Sequence, residues 1–174
     1  MPNYCENHLT ISGLRKDLEQ FRDRAALFKE SSEGDAAIPL DFSRLLPIQE
    51  PLFDIENCED DWMMRHWGCR GSAEDAECYL FCDDEGRGQL VYEYLTPRTP
   101  SDKLIVEVSA SYPTLTFSLI AFVGESNYAA LFIARRGILM SGIDGFHYPS
   151  LMDEAFKEGR YTAWRFVPHL KTSS

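Results

Sequence analysis

The chain has no CxxC pair, no GKS or GKT ending and no apolar run approaching the ~20 residues of a membrane span. From Glu50 to Glu85 it also has almost no cation: Arg65 and Arg70 stand alone among twelve carboxylates. Each absence excludes a chemistry. Zinc ribbons and bacterial iron–sulfur clusters draw their ligands from closely spaced cysteines. A phosphate loop needs a lysine and a hydroxyl after its glycines, which Gly86-Arg87-Gly88 lacks, and an acidic run precedes that segment. Met1-Pro2-Asn3-Tyr4-Cys5-Glu6 offers neither the basic region nor the apolar core of a secretory signal, so a cytoplasmic location is expected. The acidic window repels phosphate, which dominates nucleic-acid affinity, and so argues against a nucleic-acid or anionic-membrane binder.

What is present is ordinary globular material. With 174 residues, 44% hydrophobic and 26% charged, the chain suits one domain over residues 1–174 that needs no staple to hold its core. The five cysteines (Cys5, Cys58, Cys69, Cys78 and Cys82) are odd in number and read as buried or inert thiols. No cofactor and no metal are expected.

Alternation over Tyr4–Ser12 predicts a strand with Cys5, Asn7, Leu9 and Ile11 on one face and Tyr4, Glu6, His8 and Thr10 on the other. Gly13 ends it. Leu14, Leu18, Phe21, Ala25 and Phe28 then recur at helical spacing, which predicts a helix over Leu14–Glu30. Residues 38–70 show no period and are broken by Pro39, Pro47 and Pro51; they read as an insertion of short helical turns packed over one end of the sheet. Strands are predicted at Asp75–Cys82 and Gln89–Leu95, joined by a hairpin loop over Asp83–Gly88. Thr99, Pro100 and Asp102 read as N-cap, N1 and N3 of a second long helix. Thr114–Val123 and Tyr128–Arg135 follow as strands, and residues 141–174 form a C-terminal extension with a helix at Ser150–Lys157. The class is α+β. The order contains the β-α-β-β-α-β plan of a ferredoxin-like sandwich, with an insertion after the first helix and an extra C-terminal hairpin strand and helix.

Pro2-Asn3-Tyr4-Cys5-Glu6-Asn7-His8-Leu9-Thr10-Ile11-Ser12-Gly13, Leu45-Leu46-Pro47, Trp67-Gly68-Cys69-Arg70 and Tyr112-Pro113-Thr114-Leu115-Thr116-Phe117 occur in that order. Together they resemble the YubB-like proteins of plasmids and prophages, over about residues 2–140. The resemblance implies a ferredoxin-like domain and a mobile-element setting; it implies no activity.

No histidine among His8, His66, His147 and His169 is tied by pattern to a Ser or Cys nucleophile. The expected function is therefore non-enzymatic: an accessory protein of a mobile element that binds a protein with a basic surface. Trp62, Trp67, Tyr79 and Phe81 would supply aromatic anchors, and Asp75 and Glu77 acidic ones. Two alternatives stand beside it. One is an acidic nucleic-acid mimic that inhibits a nucleic-acid-binding protein. The other is a small tautomerase-type enzyme using an N-terminal Pro2 as base.

Overall fold

Period-two apolar patterning makes the long strands, and the sheet they form organises the rest. The computed structural model describes residues 3–29, 36–48, 58–124 and 128–145. In chain order the elements are β1 (Tyr4–Leu14), α1 (Arg15–Ala25), β2 (Leu27–Lys29), β3 (Ala36–Ile38), α2 (Phe42–Leu45) and α3 (Cys58–His66). They continue as β4 (Glu74–Cys82), β5 (Arg87–Pro97), α4 (Asp102–Ser111), β6 (Thr116–Val123), β7 (Tyr128–Arg135) and β8 (Ile138–Gly145). Six strands form one antiparallel sheet in the order β4-β5-β1-β6-β7-β8, and β2 pairs with β3 in a separate ribbon. The result is a mixed α+β arrangement dominated by that sheet. Among the described residues no helix is long and apolar enough to cross a membrane.

β1, first in sequence, lies at the centre, with Glu6 opposite Leu95 of β5 on one side and Phe122 of β6 on the other. Leu18, Phe21 and Ala25 of α1 and Leu104, Ile105 and Val108 of α4 bury against one sheet face, on Leu9, Ile11, Leu90, Tyr92, Phe117 and Leu119. Phe21 meets Tyr92, Tyr112 and Phe117 edge-on, with ring centroids 5.0 to 6.3 Å apart. Such ring pairs each add about 0.5–1.5 kcal/mol beyond area burial. The expected insertion joins the same core through Phe42, Trp62, Met63 and Trp67. On this face Asn7 is buried but satisfied: its Nδ2 donates to Cys5 O (2.9 Å) and Thr96 Oγ1 (2.7 Å).

Four expectations change. The first helix is shorter than Leu14–Glu30: Ala26 turns extended, and Asp41 N binds the Ala25 carbonyl at 2.9 Å. Leu14 therefore ends β1, Phe28 lies in β2, and both side chains are exposed. The second long helix starts at Asp102, not after a Thr99 cap. The Thr99 hydroxyl donates instead to Gly68 O (2.8 Å), and Arg98 adopts a left-handed φ of 64°. A further strand, β8, follows a two-residue turn in which Arg136 (φ 54°) and Gly137 (φ 76°) both take positive φ, the geometry that suits a tight hairpin. Cys82 is exposed rather than packed, because it is the last residue of edge strand β4. Cys5 and Cys69 are buried, and burial pushes both thiols up to about 12. The helix expected at Ser150–Lys157, together with Pro2, lies outside the described residues.

Candidate functional site

The four described helices send their buried side chains to the first sheet face. The second face carries Glu6, His8 and Thr10 of β1 beside Val91, Glu93 and Leu95 of β5 and Ser118 and Ile120 of β6. Edge strand β4 continues this face with Glu77, Tyr79 and Phe81. Alternation puts His8 and Thr10 on the face opposite Leu9 and Ile11, and there they are 6% and 0% exposed. The cause is position: on the central strand each is flanked by side chains from β5 and β6. Towards β4 the face opens again, with Tyr79 and Phe81 at 43% and 60%.

A cavity of about 290 Å³ lies at that boundary. β1 supplies Glu6 and His8, β4 supplies Asp75 and Glu77, β5 supplies Glu93 and Leu95, and β6 supplies Ile120. A β-bulge shapes its rim. Glu74 faces Leu95 and Glu77 faces Glu93, so β4 holds one residue more than β5 over that stretch, and Asp75 takes a φ of 49°. Bulges of this kind re-aim side chains. Four carboxylates thus border one cavity, and none of its lining residues is Lys or Arg.

The electrostatics follow from that crowding. Burial raises the Glu93 carboxyl above its ordinary range, and neighbouring Glu77 raises it further. His8 Nδ1 lies 3.1 Å from Glu93 Oε1. Burial nevertheless pulls His8 down to about 4, because charging the ring there costs solvation. At neutral pH the His8 ring is therefore uncharged. The Tyr79 hydroxyl donates to Glu77, which raises the Tyr79 phenol.

Of the residues expected to bind, Asp75 and Glu77 line the cavity, and Tyr79 and Phe81 stand exposed farther along β4. Trp62 and Trp67 do not join them. They are 9% and 2% exposed in the core, edge-on to each other at 5.7 Å, with Trp67 also against Phe42 at 5.6 Å. The Trp67 indole N–H donates to Leu46 O (3.1 Å), so even its polar atom is satisfied inside. Gly68 then turns the chain at φ +90°, and an added Cβ would meet Asp102 Oδ1 and lie 2.7 Å from Pro100 O. The Trp67-Gly68 pair therefore joins α3 to the start of α4. Glu6, His8, Glu93, Leu95 and Ile120 were not singled out as site residues. For Glu93 the signal was available: the Asp83–Gly88 hairpin sets the β4–β5 register and hence the Glu77–Glu93 pairing.

The acidic window divides among different elements. Glu59, Asp60 and Asp61 occupy the first turn of α3, where acids complement the helix dipole. Asp83 builds its own turn, its carboxylate accepting from Glu85 N (3.0 Å) and Arg87 N (2.8 Å). Glu50, Asp54 and Glu56 lie outside the described residues. Among the described residues no group of three or more His, Cys, Asp or Glu side chains could hold a metal ion.

No family model and no curated protein matches the sequence. In structure the chain is similar to the protein api92 from Yersinia pseudotuberculosis, family model DUF1281, known from a crystal structure. The two share a TM-score of 0.61 and 9% identity, over 86% of this chain and 100% of that one. The likeness is one of fold.

Proposed function

We propose that this chain is a non-enzymatic accessory protein of a mobile element that docks a basic protein on the β4 side of its second sheet face. The carrying observation is the cavity bordered by Glu6, Asp75, Glu77 and Glu93, with exposed Tyr79 and Phe81 beside it. Aromatic side chains anchor interfaces, and clustered charge of one sign steers association with a complementary surface. His8 is the cavity's only histidine, and burial pulls its pKa down to about 4, below the range that suits an imidazole general base at neutral pH. A nucleic-acid mimic would need its acids in one stripe, whereas here they divide among α3, the cavity and the hairpin tip. The mobile-element setting rests on the YubB-like residue pattern. The finer fold reading is a ferredoxin-like sandwich of β1-α1-β4-β5-α4-β6 extended by β7 and β8. The strand order β4-β5-β1-β6 with α1 and α4 on one face supports it.

Affinity capture from host lysate tests the docking reading. Wild type should retain a basic protein at low salt and release it at high salt. Glu77→Lys with Glu93→Lys, and separately Tyr79→Ala with Phe81→Ala, should each lose it. Retention that both variants leave unchanged, or no retention by wild type, overturns the proposal.

A further inference from the structure

We infer that this chain associates head to tail with further copies of itself, the β8 edge of one copy adding to the β4 edge of the next. The inference goes beyond the docking reading above, which concerns a sheet face and leaves β8 unused. The sheet begins with β4 and ends with β8, and among the described residues neither strand is paired on its outer side. Edge strands are usually blunted by charge, proline or a bulge, since their free N–H and C=O groups otherwise template a new strand. In β4 the bulge and the acids Glu74, Asp75 and Glu77 occupy one half, while Cys78–Cys82 pairs regularly with β5. β8 opens on three successive apolar residues, Ile138, Leu139 and Met140, which are 61%, 47% and 63% exposed. Seven large hydrophobic side chains stand exposed among the described residues, and five of them lie on these two edges: those three with Tyr79 and Phe81. Apolar exposure is thus concentrated where a strand can be added.

Direction, face and charge agree on how the copies meet. β1 runs parallel to β4 and antiparallel to β8, so a copy that continues the sheet pairs β4 with β8 in antiparallel fashion. The turns at Asp83–Gly86 and at Arg136-Gly137 stand at the same end of the sheet. Phe81 then falls opposite Ile138, both on the second face, and Leu80 opposite Leu139, both on the first. The same register brings exposed Asp83, Asp84 and Glu85 of one copy beside exposed Arg135 and Arg136 of the next. Like edges fit worse. Two β4 edges paired about a two-fold axis would set Asp83–Glu85 of one copy against Glu74 and Asp75 of the other, acid against acid. Two β8 edges would bring none of the Asp83–Glu85 acids to Arg135 and Arg136. Because the two surfaces differ, the contact is heterologous, and growth does not stop at two copies. The register shifts between Glu74 and Glu77 and at Met140 keep each regular stretch short, so the association is weak and rises with concentration.

Sedimentation velocity of the full chain over a concentration series tests the inference. Wild type at low salt should gain mass with concentration and pass the dimer without a plateau, and added salt should reduce the gain. Arg135→Glu with Arg136→Glu, and separately Asp84→Lys with Glu85→Lys, should each raise the concentration needed for association at least about tenfold, since like charges then face each other. An equal mixture of the two variants, in which the reversed charges complement, should associate as wild type does. All four residues are exposed, so circular dichroism should show both variants folded. A wild type that stays monomeric, or one that stops at a dimer, overturns the inference. So do variants that associate undiminished, or a mixture that does not recover. The Arg135→Glu, Arg136→Glu variant leaves β4 and the cavity untouched, so its capture of a basic protein reads the docking proposal separately.

Discussion

The two faces of the sheet are built from alternate residues of the same strands and come out differently. On the first, side chains from the four helices close over Leu9, Leu90 and Phe117, and the buried Asn7 amide and Tyr94 hydroxyl find hydrogen-bond partners. On the second, a buried middle (His8, Thr10, Ser118) gives way towards β4 to carboxylates and bare aromatics. Alternation decides which face a side chain takes. It does not decide whether that face is covered. A packed helix settles the matter on one side, and neighbouring strands settle it on the other.

Changes on the first face should break the fold, and the largest effect belongs at the α3–α4 joint. Trp67→Ala removes a buried indole and should cost about 3–5 kcal/mol in urea unfolding. Gly68→Ala should also destabilise, by roughly 1–3 kcal/mol, since it adds both left-handed strain and a clash with backbone. Near-neutral results would mean that the joint is not the structural element assigned to it.

An intermediate effect should come from His8, where the faces share a strand. The unfolded imidazole takes up its proton near pH 6.5 and the folded one near 4. Between those values the unfolded chain binds more protons. The contribution of His8 is thus fully present above about 6.5 and is lost as pH falls towards 4, by at most about 3 kcal/mol. Glu93 opposes this, because a raised carboxyl pKa favours the fold as pH falls. Urea midpoints at pH 7 and 4.5 should therefore differ in wild type and differ much less in His8→Gln. Equal differences would remove His8 as the cause.

The smallest effect should come from the exposed aromatics. Tyr79→Ala and Phe81→Ala should each shift stability by under about 1 kcal/mol, since each touches solvent on an edge strand. A loss as large as that at Trp67 would mean that these rings are core, and the contrast between the faces would collapse.

Much of the first face was legible. In the strand expected at Thr114–Val123, the alternate apolar residues Leu115, Phe117, Leu119, Ala121 and Val123 are all buried. The β4–β5 hairpin was readable because Asp83 and Gly86 are turn residues. β8 was not, because its turn begins with Arg136, a residue that seldom takes positive φ. The helical spacing of Leu14 and Phe28 was real but misleading, since it ran across the boundaries of β1 and β2. The cavity was half legible. Asp75 and Glu77 stood out by charge, whereas Glu6, Glu93 and Ile120 reach it from strands remote in sequence. Trp62 and Trp67 show the converse: an aromatic pair in an aperiodic segment carries no sign of which way it will face.

The central place of β1 also has a cost in time. It is made first, but its hydrogen-bonding partners are about seventy to over a hundred residues away, as in Leu14↔Arg87 and Glu6↔Phe122. Contacts that distant slow folding, because long loops must close before any pairing rewards them. During synthesis the N-terminal strand therefore waits until Val123 has emerged before both its edges can be covered. A chain cut short before that point would leave its middle strand open, with Leu9 and Ile11 free to find partners in other chains.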